Sequence, residues 1–152
     1  MSIEIVPATE AHARELLTRL RAADRAEITA AGIRPGRAVL SSWRRAVVRK
    51  TALVDGDVAA VWGVTGVLLG SVGNPWLLTG AACERVSALR FARIYRDEAR
   101  EMLSVFPRLE NFVDATYVGA VRMLTLAGFA LDDPAPYGLH GAMFRRFEMR
   151  AV

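Results

Sequence analysis

Residues 80–129, GAACERVSALRFARIYRDEAREMLSVFPRLENFVDATYVGAVRMLTLAGF, decide how the rest of the chain is read. Val86, Leu89, Ala92, Tyr95, Ala99, Met102, Leu103 and Phe106 recur every three or four residues, so the pattern predicts a long helix with these side chains on its inner side. Arg93, Arg96, Asp97, Arg100 and Glu101 fall on a charged flank, and Pro107 stops the helix. The compact run Leu109 to Ala115 has strand length, with Phe112 and Val113 at its centre. A second helix follows, with Asp114 or Thr116 able to cap its first amides and Val121, Leu124 and Ala127 on its inner stripe. It ends at Gly128, where only a residue without a Cβ adopts left-handed dihedrals cheaply, and Phe129 opens the next strand.

Upstream, Val47 to Val54 and Val58 to Thr65 flank Asp55-Gly56, the signature of a tight antiparallel hairpin. Gly66 to Pro75 reads as a glycine-dotted loop, and Trp76 to Thr79 as a short strand at the centre of the sheet. Ile3 to Pro7 is a first strand. Thr9 caps a helix with Leu16, Leu17 and Leu20 inside, Asp24 and Glu27 have the spacing of a capping box before Ile28, and Pro35 opens a helix through Val39, Leu40 and Trp43. Trp43 reads as core, with a place in a substrate cleft as the other option. After turns at Asp132-Asp133-Pro134 and Pro136-Tyr137-Gly138, Met143 to Met149 alternates as a closing hairpin strand.

The chain has 152 residues, 53% hydrophobic and 24% charged, which fits one domain, 1–152, able to bury its own core. The longest apolar run, Val58 to Leu69, is interrupted and too short to span a bilayer, and Met1-Ser2-Ile3-Glu4 lacks the basic start of a signal peptide. Cys83 is the single cysteine, which excludes an internal disulfide and paired-cysteine metal sites. The net charge of +4 permits nucleic-acid contact, yet the arginines are scattered and no recognition helix is visible, so a solvated Arg-rich surface is the preferred reading. No metal or membrane partner is expected. His12 and His140 lack metal-ligand spacing.

The run Ala115 to Phe129 resembles the late motif of the GNAT superfamily of acyltransferases. More narrowly, Gly73 to Leu78, Pro107 to Asn111, Val113 to Ala115, Leu126 to Phe129 and Phe144 to Met149 resemble the phage GNAT-like family that includes an internal virion protein of short-tailed phages. This resemblance implies an α/β fold of GNAT type: a mixed central sheet of about six to seven strands, with helices on both faces. The strands Trp76 to Thr79 and Leu109 to Ala115 are then expected to lie parallel and to diverge at one end.

The resemblance also places an acetyl-CoA site after the central strand, at backbone amides of Leu77, Leu78, Thr79, Gly80, Ala81 and Ala82. Here the chain departs from the family pattern. The turn has one glycine and no preceding Arg or Gln, Glu84 brings negative charge, and Leu124 stands where the family carries a tyrosine that protonates the departing thiolate. Tyr117 and Asp114 are the candidates for a catalytic acid and base, each with a packing or capping role as the alternative. Cys83 reads as a buried thiol, with a reactive one at a helix start as the other option. The expectation is a degenerate acetyl-CoA site in a virion-associated or host-interacting module, cytoplasmic or within the virion, with virion or host proteins as partners. The alternative is a working acetyl-CoA-dependent N-acetyltransferase acting on an amine.

Overall fold

The structure, a computed structural model, describes residues 1–67 and 69–152; Leu68, inside the predicted loop 66–75, lies outside the described residues. The chain runs β1 (Ile3–Pro7), α1 (Glu10–Thr18), α2 (Ala22–Ala30), α3 (Pro35–Arg45), β2 (Val48–Val54), β3 (Asp57–Thr65) and β4 (Val72–Thr79). A 3-10 turn (Ala81–Arg85) then leads to α4 (Ala88–Leu103), β5 (Arg108–Asp114), α5 (Val118–Ala127), β6 (Ala130–Leu131), β7 (Ala135–Tyr137) and β8 (Ala142–Arg150). The strands form one eight-stranded sheet, ordered β1-β2-β3-β4-β5-β8-β6 with β7 also on β8. No helix among the described residues is long and apolar enough to cross a membrane.

Asp55 (φ 49°) and Gly56 (φ 87°) make the predicted turn between β2 and β3, and Gly128 ends α5 in left-handed geometry (φ 102°). Helices α4 and α5 cover one face of the sheet, where Trp62, Phe91, Tyr95, Met102, Leu124 and Phe147 belong to one buried cluster. Helices α1 to α3 cover the other face over Leu16, Ile28, Val39, Val58, Val61 and Leu78. A bulge at Ala59, where Ala52 pairs Ala60 but Leu53 pairs Val58, shifts the phase of β3 and lets Val58 and Val61 face the same side.

Strands β4 and β5 are parallel, as expected, but pair only at Val72–Arg108 and Gly73–Leu109 before separating. Beyond that point two side-chain amides replace the lost ladder bonds: Asn74 Nδ2 donates to the Glu110 carbonyl at 2.9 Å and Asn111 Nδ2 to the Pro75 carbonyl at 2.8 Å. The gap this opens, at the C-terminal ends of two parallel strands, positions the site described below.

Three expectations need correction. Strand β4 begins at Val72, not Trp76, because Pro75 is tolerated there: its missing N–H falls on the side where β4 leaves its partner. The long helix starts at Ala88, behind the 3-10 turn, with the Ser87 hydroxyl accepting from the Arg90 amide at 3.2 Å. That start turns Leu89 outward, 50% exposed, and puts Phe91 on the inner stripe. Finally, Asp24 and Glu27 are not a capping box. Helix α2 has no side-chain cap, and both carboxylates reach across to the sheet.

Candidate functional site

Where β4 and β5 separate, a cavity of about 330 Å³ opens, walled by Pro75 to Thr79, Asn111 to Val113, the first two turns of α4 and α5, and α2. Its acids Asp24 and Glu27 come from α2, whose inward turn carries them to the top of the gap, and Arg21 at the α2 N-cap and Glu84 in the 3-10 turn, 3.7 Å apart, also line it. The Asp24 carboxylate accepts from the Thr79 amide at 3.2 Å, from the Thr79 hydroxyl at 2.5 Å and from the Tyr117 hydroxyl at 3.0 Å. Burial raises its pKa against these three hydrogen bonds. Glu27 accepts from the Asp114 amide at 3.0 Å. Burial first, then the neighbouring Asp24 and Asp114 carboxylates, push Glu27 up to about 7, so near neutral pH it exchanges its proton readily.

Each group named from the sequence has a definite place. Tyr117 lines the cavity, but burial, with the Asp24 charge added, raises its pKa, which makes it a weaker proton donor than a free tyrosine. It stands at the N-cap of α5 and makes no side-chain cap. The Asp114 carboxylate accepts from the amide and hydroxyl of Thr116, at 2.8 and 2.7 Å, so it shapes the turn into α5 as the capping alternative anticipated. Cys83 is buried, and that burial raises its thiol to about 11, away from the thiolate. Trp43 projects from α3, its indole donating to the Ala8 carbonyl at 3.0 Å, and does not line the cavity.

The six amides from Leu77 to Ala82 are spent unequally. Gly80 donates to the Ala59 carbonyl at 2.8 Å, Ala81 to the Arg19 carbonyl at 3.1 Å, and Thr79 to Asp24. In an antiparallel ladder successive residues alternate direction, so Leu78 faces β3 while Leu77, like Thr79, directs its N–H and C=O into the gap. Ala82 is buried in the 3-10 turn. Across the gap the Phe112 amide is held by the Asn111 side chain at 2.9 Å. Leu77 therefore offers an extended ligand an open donor and acceptor, and the first-turn amides of Ala88 and Leu89 stand open at the start of α4.

Asp24 and Glu27 were missed as site residues because their spacing also satisfies a helix-start pattern. Their partners, Thr79, Asp114 and Tyr117, lie 55, 87 and 93 residues away in the chain, beyond any local signal.

No family model and no curated protein matches the chain. Its fold does match solved structures. An acetyltransferase of the GNAT family from Streptococcus pneumoniae superposes with a TM-score of 0.67 at 15% identity, covering 99% of this chain and 100% of the other. A GCN5-related N-acetyltransferase from Kribbella flavida gives 0.66 at 18%, covering 98% of each chain. The aminoglycoside acetyltransferase AAC(6')-Ib, solved with coenzyme A, gives 0.67 at 14%, covering 98% of this chain and 95% of that one. The chain has the GNAT fold.

Proposed function

We propose that the protein transfers an acyl group from an acyl-CoA thioester to an amine, and that Glu27 is the base. The observation that carries this is the placement of Glu27, with a pKa of about 7, beside the gap between β4 and β5 where Leu77 leaves a backbone donor and acceptor open. The acyl-pantetheine arm lies along Leu77, its carbonyl accepting a backbone N–H, and the amine approaches from the α2 side. There Asp24 and Glu27 line the cavity and attract an ammonium group by their negative charge, and the ammonium gives one proton to solvent before it reacts. The amine nitrogen attacks the thioester carbonyl, the C–N bond forms, the C–S bond breaks, and Glu27 takes the proton the nitrogen gives up. The thiolate regains a proton from solvent, since Tyr117 holds its own toward Asp24 and Leu124 has none to give.

The resemblances to GNAT acetyltransferases, one of them solved with coenzyme A, support this reading at the level of fold and ligand class. A second reading is a phage-type module, associated with the virion or with host proteins, whose acetyl-CoA site has decayed. It is favoured by the amides of Thr79, Gly80 and Ala81, which the chain itself consumes. Calorimetric titration with free CoA and acetyl-CoA separates the two. Saturable binding in the micromolar range, with thiol release that needs an added amine, is the outcome of the acyl-transfer reading; no heat at near-millimolar ligand is the outcome of the decayed one.

A further inference from the structure

The charged side chains that line the cavity, Arg21, Asp24, Glu27 and Glu84, come from α2, its N-cap and the 3-10 turn. Ala88 and Gly119, both exposed, flank its mouth between the first turns of α4 and α5, whereas Tyr95, Val113, Leu124 and Phe147, all at most 5% exposed, close it at depth. Resting on the acyl-transfer reading, we infer that the acyl group taken at this site is an apolar chain of several carbons rather than acetyl. An acetyl group carries one methyl and needs no room beyond the thioester. Here the wall past Leu77 is carried by Phe91, Val113, Leu124, Phe147 and the ring of Tyr95, and no charged side chain from α4 or α5 lines the cavity.

Leu124 is the residue on which this turns. A tyrosine there would fill the blind end and add a hydroxyl to it. Leucine leaves space and offers only dispersion contact, which rewards methylenes and does nothing for a thioester. Apolar surface of this kind favours apolar ligands. Each methylene buried in it improves affinity about fourfold.

The test is calorimetric titration of the full chain with free CoA, acetyl-CoA, hexanoyl-CoA and decanoyl-CoA. Hexanoyl-CoA is expected to bind at least tenfold more tightly than acetyl-CoA. Leu124→Trp, which fills the blind end, is expected to bring the two to equal affinity, and Leu124→Ala, which enlarges it, to move the preference toward decanoyl-CoA. Circular dichroism of both variants confirms that each is folded, and the two opposite shifts cannot both arise from a folding defect. Equal affinity of the wild type for acetyl-, hexanoyl- and decanoyl-CoA overturns this inference and leaves acyl transfer standing, as does a preference that neither variant moves. Failure of free CoA and of every thioester to bind overturns the acyl-transfer reading and the inference with it.

Discussion

Glu27 holds its proton to about pH 7 because burial disfavours its charged form and two other carboxylates stand beside it, with a single amide hydrogen bond acting the other way. Two outcomes follow at this scale. Glu27→Gln keeps the shape and the Asp114 contact but cannot accept a proton, so amine-dependent turnover is expected to fall by about 10²–10⁴ with little change in thioester affinity. In the wild type, turnover is expected to rise with pH through about 7, as the carboxylate forms, and Glu27→Gln is expected to abolish that inflection. Stability carries the opposite sign. A carboxyl whose pKa is raised from 4.5 to about 7 on folding contributes stability in full below pH 4.5 and loses it as pH rises through 7. Because Glu27 is only partly buried, the loss is discounted to about 1–3 kcal/mol, and the glutamine variant is expected to be more stable than the wild type at pH 8 but not at pH 4 by thermal denaturation.

Among the elements, those set by short-range rules were legible in the sequence: the Asp55-Gly56 hairpin, the Gly128 stop and the helix-strand-helix order from α4 to α5. The exact helix start was not, because Ala81 to Arg85 satisfies a helical pattern while a bridge from Leu20 to Gly80 and the Arg19 carbonyl hold the chain in a separate turn. The inner stripe of α4 shifts accordingly, and the shift is measurable. Met102, fully buried, is expected to cost about 2–5 kcal/mol on Met102→Ala, whereas Leu89→Ala is expected to stay within about 0.5 kcal/mol, read from urea unfolding midpoints. At Gly128 an added Cβ would meet only Met149 Cε at 3.6 Å, an ordinary contact. Gly128→Ala is therefore expected to cost about 1–3 kcal/mol from backbone strain at φ 102° alone.

At the scale of the whole molecule, the site exists because β4 and β5 pair over two residues and then part, with α2 laid across the opening from the other face. The parting was expected from the family resemblance carried by the helix-strand-helix block and its closing Gly128-Phe129. The acids that fill it were not, since they come from the N-terminal third and meet the sheet only when the chain is folded. The same topology explains why the turn after β4 contributes little: its amides close the molecule onto α1, β3 and α2, leaving ligand recognition to Leu77 and to the start of α4. The claim that this opening performs acyl transfer is tested most directly by following thiol release from acyl-CoA in the presence of a panel of primary amines at pH 8, wild type against Glu27→Gln. The account predicts amine-dependent release by the wild type, reduced at least a hundredfold in the variant. Release that is indifferent to the amine, or equal in the two proteins, would contradict it.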